Sequence, residues 1–533
     1  MVRSSRRTLF FVTFVILLCG IAGALFGQRV AASGGSNDAE LRESLRTFSQ
    51  VYDIVEQNYA EPVNPDKAIY NGAIPGMLRA LDPHSNFFDP KQYSLLREEQ
   101  KGKYYGVGMQ VGPRANKVIV ILPFVGTPAY KAGIRPGDVI VAVDGKSTEN
   151  LSTTEVADML KGPKGTAVKI TILREGSEKP LEFNVVRDEI PRYSVDVHFM
   201  IRPGIGYVHI SGFQETTEHE VQAALEQLGD IKGLVLDLRQ NPGGLLSEGV
   251  GVADKFLRKG QVIVTHRGRS SPEKVYKAAH GNGGKDYPIV VLVNRGTASA
   301  AEIVAGAIQD HDRGLIVGDN TFGKGLVQTV YPLSENTGLA LTTAKYYTPS
   351  GRLIQREYTG VSLYDYYYNH NNGSSEEDKN REVKTTDSGR TVYGGGGITP
   401  DVKFKEPKNT RFQDELLAKY AFFNFAKQYL VEHKISRSFE VDDVVLQDFR
   451  KFLNNQKINF TEADLIQVND WLRTRIKSEL FVDEFGQDEG MKVAAENDPA
   501  VVKALELMPQ AQKLADNARK VMAERAAARG LSR

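Results

Sequence analysis

Apolar positions along this chain recur first with a helical period, then as short β-type runs, then as the two in alternation. Leu41, Leu45, Phe48, Val51, Ile54 and Val55 repeat at helical spacing behind Asp38, which can cap a helix. Residues 33–37 read as a flexible linker before it, and a second helix is expected over 66–81. From 96 to about 188 the pattern turns β-rich: runs at 117–122, 139–143, 168–173 and 181–187, with one helical stretch at 153–160. From 191 to about 401, strands at 206–210, 233–238 and 288–293 alternate with helices at 218–228, from the glycines at 243–244 to about 256, and at 300–309. Strands alternating with helices imply an α/β core with a parallel sheet. Residues 358–397 are polar, most of all 369–378, and read as a mobile surface insertion. Beyond about 405, apolar residues at helical spacing over 416–431, 462–480 and 500–525 predict a helical extension, to which the residues assign no chemistry.

The N-terminus departs from this globular pattern. Arg3, Arg6 and Arg7 precede an uncharged apolar run over 9–26, 18 residues long and just enough to span a bilayer. Positive residues in front keep residues 1–8 cytoplasmic and place the rest outside. Small residues at 22–24 and 30–32 resemble signal-peptidase sites, but the run exceeds a usual signal core, so an uncleaved anchor is expected. Cys19, the only cysteine, lies inside this run, so the exported part has no disulfide, no thiol nucleophile and no cysteine-based zinc site. No HExxH occurs, since His219-Glu220 lacks the second histidine. A net charge of +1 over 533 residues argues against a nucleic-acid binder driven by bulk electrostatics. The length suits three to four domains, of ordinary globular composition.

The candidate chemistry centres on Ser299. It falls between an apolar strand and a helix, where backbone N–H groups and a helix dipole can stabilise an oxyanion. Ala300 N–H is one such donor. The Asn241-Pro242-Gly243-Gly244 turn offers a second, since glycine lets backbone approach closely; Gly243 or Gly244 is expected to face Ala300. A serine at such a junction is otherwise a helix cap. A serine hydroxyl needs a base. Lys324, between two glycines, can serve only if neutral, which burial favours. If a strand runs over 324–331, Lys324 and Gln328 share a face, and the Gln328 amide oxygen can hold the amine. Asp310 closes the serine's helix and is read as structural, pairing Arg313. A Ser-His-Asp hydrolase would instead draw on His266 or His311.

Two resemblances organise these observations. Residues 96–188 resemble a PDZ domain, most strongly in Ala132-Gly133-Ile134-Arg135-Pro136-Gly137-Asp138-Val139-Ile140. Tyr105-Gly106-Val107-Gly108-Met109 resembles the loop that captures a peptide carboxylate, where successive N–H groups converge on an anion and the next strand edge pairs with the peptide. A dinucleotide loop is excluded, since GxGxxG fails at Val111. Over residues 40–403, LDPHS, YYGVGM, AGIRPGDVIVAVDG, LDLRQNPGG, NRGTASAAEI, GKGLVQ and GGGITPDV follow in the order of the C-terminal processing, or tail-specific, peptidases. The resemblance implies a Ser-Lys endopeptidase with Ser299 as nucleophile, Lys324 as base and Gln328 assisting. Thr297, where many relatives have serine, leaves the nucleophile untouched.

The expected architecture is multidomain α/β: a tail at 1–8, a membrane segment at 9–26, N-terminal helices at 38–95, the PDZ domain at 96–188, a protease core of ClpP/crotonase-like type at 189–403 and the helical extension at 404–533. The implied function is cleavage of exported proteins whose apolar C-termini dock in the PDZ domain, on the extracytoplasmic face of a bacterial-type membrane. No metal or cofactor is required, and the N-terminal helices can form a dimer contact in this family. The rival reading is a non-catalytic PDZ scaffold or envelope assembly factor, which would not need Lys324.

Overall fold

The structure is a computed structural model and describes residues 35–114, 117–368 and 381–531. The apolar run at 9–26 and the polar stretch at 369–378 lie outside the described residues. Among the described residues, no helix is long and apolar enough to cross a membrane. The chain divides into two compact units, residues 1–80 and 81–533.

In the first unit, α1 (Gly35–Asn58) carries the expected amphipathic stripe, and Leu41, Leu45, Phe48, Val51 and Ile54 are exposed along it. The helix starts ahead of Asp38, so residues 35–37 are helical and not linker; Asp38 sits in its first turn, where a carboxylate complements the helix dipole. The helix expected over 66–81 is interrupted. It runs as α2 (Pro65–Ala68), a π-helical turn (Ile69–Ala73) and α3 (Ile74–Arg79). Pro75, at the start of α3, has no N–H for the preceding turn, and a π turn absorbs that gap.

The second unit opens with β1 (Asn86–Phe88) and α4 (Pro90–Lys101), the latter capped by Asp89 and Gln92 and ended by left-handed Gly102. A two-stranded ribbon, β2 (Lys103–Gly106) against Asp188–Pro191, brackets the PDZ module at both ends. The module's sheet comprises β3 (Met109–Arg114), β4 (Lys117–Pro123), β5 (Val139–Val143) with the short β6 (Lys146–Ser147), β7 (Ala167–Leu173) and β8 (Leu181–Val186). α5 (Pro128–Lys131) and α6 (Thr153–Leu160) complete it. Ser152 and Glu155 cap α6 reciprocally, and its Val156 and Leu160 are buried with Val120, Ile140, Ile170 and Ile172.

Beyond the ribbon strand β9 (Asp188–Pro191) comes a six-stranded, mostly parallel sheet. Its strands stand in the order β10 (Val197–Arg202), β11 (Ile205–His209), β12 (Gly233–Asp237), β15 (Ile289–Val293), β16 (Leu315–Gly318) and β21 (Val402–Lys403), all parallel except β10. Every residue of β12 and β15 is buried, as expected for runs of continuous apolar sequence between two layers. α7 (Thr217–Leu228), α8 (Leu246–Asp254) and α9 (Ala300–Asp310) cover one face, burying Val221, Val252, Ile303 and Ile308 against Leu234, Leu236 and Val291. A second sheet joins β1, β13 (Val262–Arg267), β14 (Lys274–Lys277), β17 (Leu326–Pro332) and β18 (Gly338–Tyr347). The polar insertion holds the short helix α10 (Leu363–Tyr367) and a hairpin of β19 (Val383–Thr385) and β20 (Thr391–Tyr393).

The helical region contains α11 (Arg411–Ala418), α12 (Ala421–Glu432), α13 (Asp443–Asn455), α14 (Glu462–Gln467), α15 (Asn469–Phe485) and α16 (Gln487–Glu496), packed around Phe422, Phe425, Phe449, Phe452 and Leu480. The single helix expected over 416–431 is two, broken where Tyr420 adopts φ 51°. Lys427 on α12 donates to Pro136 O, joining this region to the PDZ module. The last helix, α17 (Pro499–Leu531), is more than an appendage. Its Ala500, Val501, Ala504 and Met508 pack on Val235, Val290, Leu292 and Val317, and so form the second layer on the mostly parallel sheet.

Asp310 is structural, as expected, but its partner is not Arg313. It accepts from Arg352 at 2.7 Å, in a pair fully removed from solvent, and from Ser350 N–H at 2.9 Å. Arg313 instead caps the carbonyls of Phe256, Lys285 and Tyr287. Removing one member of a buried pair strands the other charge. Asp310→Ala should therefore lose about 3–5 kcal/mol of stability, read as a lower urea midpoint; a loss below about 1 kcal/mol would mean that water reaches Arg352.

Candidate active site

Ser299 sits between β15 and α9 with φ 54° and ψ −116°. This is a left-handed conformation that a non-glycine residue holds at a cost of order 1–3 kcal/mol, and it is held only where the surroundings over-determine it. They do so here. Ser299 N–H donates to Glu302 Oε2 at 2.9 Å, and its carbonyl accepts from Tyr346 OH at 3.0 Å. Ala298 N–H donates to Asn241 O at 2.8 Å. The Thr297 hydroxyl donates to Leu238 O at 2.7 Å, a bond that serine in its place could also make.

Lys324 belongs to a neighbouring loop. It precedes β17 rather than lying in it, and the β17–β18 register is irregular between Val327 and Gln328. The strand alternation expected to align Lys324 with Gln328 therefore does not apply. The two meet nonetheless: Lys324 Nζ donates to Gln328 Oε1 at 2.8 Å, and Gln328 Nε2 donates to His84 O. Burial pushes the Lys324 amine below its ordinary pKa, while the charges of Glu302 and Asp82 push it back up. No sheet geometry is needed for this pairing, only a loop that turns the amine inward.

Glu302 joins the two segments. Its carboxylate is fully buried and accepts from Ser299 N–H, Thr321 Oγ1, Gly323 N–H at 2.8 Å and Lys324 N–H at 2.9 Å. Burial raises its pKa to about 7 against those hydrogen bonds. Tyr346 OH reinforces the joint from the other side, its one proton shared between the carbonyls of Ser299 and Lys324. Phe322 N–H closes it onto Thr297 O at 2.9 Å. Sequence reasoning passed over both residues. Glu302 carried a signal, since Ser-x-x-Glu at a helix start is a capping pattern; Tyr346 carried none.

The NPGG turn lies against Ser299. A Cβ on Gly243 (φ 96°) would stand 2.6 Å from Ser299 Cβ and 2.9 Å from Ala300 N, so only glycine fits. The Gly243 N–H, however, donates to Asn241 Oδ1 at 2.8 Å. Gly244 (φ 145°) is equally obligate, its would-be Cβ falling 2.1 Å from Phe213 O. Of the histidines weighed as rival bases, His311 is held by Asp387 and Val262 O, and His266 packs edge-on to Tyr276. The histidine whose environment includes Lys324 is His84, in the LDPHS segment, and burial and Lys324 lower its pKa to about 4. Among the described residues, no group of three or more His, Cys, Asp or Glu is placed to hold a metal ion.

In the PDZ module the five residues 105–109 are not one loop. Tyr105 and Gly106 end β2, Met109 begins β3, and only Val107 and Gly108 stand between. The carbonyls of these two are fixed inward: Val107 O accepts from Ala129 N–H at 2.8 Å, and Gly108 O from Phe124 N–H and Thr127 Oγ1. Gly108 has φ 78°, and a Cβ there would strike Thr127 at 2.4 Å.

Comparison with known proteins agrees with this assembly. The model of peptidase family S41 matches residues 204–362, and that of a PDZ domain matches 125–174. A probable PDZ-protease C-terminal helical domain matches 412–464, and an activating protease CtpB N-terminal domain matches 26–92. The carboxy-terminal-processing protease of Bartonella bacilliformis is 40% identical over 66% of this chain and 80% of its own length. The carboxy-terminal processing protease CtpA of Bacillus subtilis is 31% identical over 81% of this chain and 91% of its own. With the serine turn, the lysine loop and the PDZ module assembled in one chain, this protein belongs to the carboxy-terminal processing proteases, serine peptidases of family S41.

Proposed function

We propose that this chain is an endopeptidase with a Ser299–Lys324 dyad. The observation that carries the reading is the joint built on Glu302, which ties a strained serine to a lysine whose amine is desolvated and held by Gln328. Neutral Lys324 takes the Ser299 Oγ proton as Oγ attacks the scissile carbonyl, then returns it to the leaving amine. Water, deprotonated by the same amine, hydrolyses the acyl-enzyme. The tetrahedral oxyanion is received by the N–H groups of Ala300 and Gly244, because Gly243 N–H already serves Asn241. The two sheets and covering helices suit a ClpP/crotonase-like core.

Substrate choice rests on the PDZ module. The inward-fixed carbonyls of Val107 and Gly108 turn the N–H groups of Gly108 and Met109 the opposite way, to face a peptide carboxylate with an apolar terminal side chain behind it. Substrates are then exported proteins with exposed apolar C-termini, met on the extracytoplasmic face where the run at 9–26 would anchor the enzyme. The exposed stripe of α1 would be covered by a second copy.

Ser299→Ala and Lys324→Arg should each lower kcat on an unfolded peptide by about four to six orders of magnitude. Arginine cannot deprotonate in this range; activity surviving in Lys324→Arg removes the dyad.

The pH profile follows from the lowered Lys324 pKa. The base is neutral above that value, so kcat/KM should rise with pH and level off below 10.5, the ordinary lysine pKa. Glu302→Gln removes a charge that stabilises the ammonium, so the rise should move to lower pH, with a lower plateau because the amide nitrogen cannot accept an N–H. A shift to higher pH contradicts this electrostatic coupling.

For the PDZ module, the inactive Ser299→Ala chain should bind an apolar-ended peptide about tenfold more tightly as the free acid than as the amide, the difference made by one charge-assisted hydrogen bond. Equal affinities would mean that residues 106–109 do not cradle a carboxylate.

A further inference from the structure

Gln328 can assist Lys324 only if its amide points the right way, and the group that orients it lies far away in sequence. Its Nε2 donates to His84 O, which leaves Oε1 toward the Lys324 amine. A neutral amine donating one N–H to that oxygen keeps its lone pair for the serine proton. The His84 carbonyl is presented by a turn at residues 82–85. Asp82 Oδ1 accepts from the N–H groups of His84 and Ser85 at 2.8 and 2.7 Å, and the Ser85 hydroxyl accepts from Thr342 N–H at 3.1 Å.

The same turn is gripped by the polar insertion. Tyr366 on α10 is buried, and its hydroxyl lies 2.9 Å from His84 Nε2 and accepts from Gln355 Nε2 at 3.1 Å. The Tyr367 hydroxyl donates to Pro83 O at 2.8 Å and stands 3.4 Å from His84 Nδ1. One proton arrangement satisfies every contact: Gln355 donates to Tyr366, Tyr366 to Nε2 of a neutral His84, and His84 Nδ1–H faces the Tyr367 oxygen. The displaced pKa of His84 agrees with the neutral form. Gln355 also accepts from Gly325 N–H at 2.8 Å, beside Lys324, so the tyrosine grips the turn and the lysine loop at once.

We propose that Tyr366 and Tyr367 are positioning residues for the Ser299–Lys324 chemistry: from the insertion they hold His84 so that its carbonyl fixes the Gln328 amide, and through it the Lys324 amine. The inference rests on the dyad reading. It gives the insertion, which has no place in the protease sheets, a share in the catalytic step.

The test is a double-mutant cycle on the full chain, with kcat and KM on an unfolded peptide for Tyr366→Phe/Tyr367→Phe, Gln328→Ala and their combination. Phenylalanine keeps the ring packing and removes the two hydroxyls. The phenylalanine pair should lower kcat about tenfold, since small misplacements of a catalytic group carry such losses, with KM within about twofold of wild type. Added to Gln328→Ala, it should cost nothing further, because both act through the same amide. Thermal unfolding midpoints confirm that each variant folds. If the pair does not fold, Tyr367→Phe alone spares the buried hydroxyl and should show the same split and non-additivity. Wild-type kcat in the phenylalanine variants, or losses that add to Gln328→Ala, overturn the proposal and leave the dyad standing. Full activity in Lys324→Arg removes both.

Discussion

One buried carboxylate holds the serine turn and the lysine loop together. Among the described residues Glu302 has no cation in hydrogen-bond contact; its compensation comes from three backbone N–H groups and one hydroxyl, drawn from the serine turn on one side and the lysine loop on the other. Desolvation of such a group is expensive unless its lone pairs are filled, and here filling them requires both segments to be in place. The strain at Ser299 is stabilised by the same bonds. The carboxylate also acts on the lysine electrostatically, opposing the burial that lowers its pKa. One side chain thus fixes the geometry and also opposes the effect of burial on the lysine's proton affinity, and Tyr346 duplicates the geometric half without adding a charge.

Much of this was legible in the sequence where the information was local. The PDZ helix at 153–160 and the buried strands of the catalytic sheet follow from periodicity and apolar runs, and the structure reproduces them within a residue or so. Ser299 and Lys324 were found by motif, and their loops do meet. The argument that joined Lys324 to Gln328 failed in its route: it assumed an unbroken strand, and a register irregularity lies in the way. Pairing across long sequence distances was not legible. Asp310 was matched to Arg313, three residues on, whereas the fold supplies Arg352 from another layer. His84, Tyr346 and Tyr366 act through bonds to segments far along the chain, and no spacing rule reaches them. The π turn before Pro75 shows the opposite case, a local signal that a helical pattern conceals.

The two recognition modules differ in how their glycines are used. At Gly243 and Gly244 the neighbouring atoms are backbone and the Ser299 Cβ, so no side chain can be admitted. At Gly108 the neighbour is Thr127, whose hydroxyl also bonds the Gly108 carbonyl. The first arrangement fixes the approach of two loops; the second fixes which way a peptide unit faces.

The second layer of the catalytic sheet has a consequence for how the protein is made. β12, β15 and β16 emerge from the ribosome long before α17, the helix that covers their other face, and the whole helical region intervenes. Until α17 arrives, one side of the most apolar strands in the chain has no partner, a state prone to aggregation or to capture by chaperones. The PDZ module, with its own core, faces no such delay. A module with its own core can close before the protease sheet does, so two parts of one chain reach their finished form at different stages of synthesis.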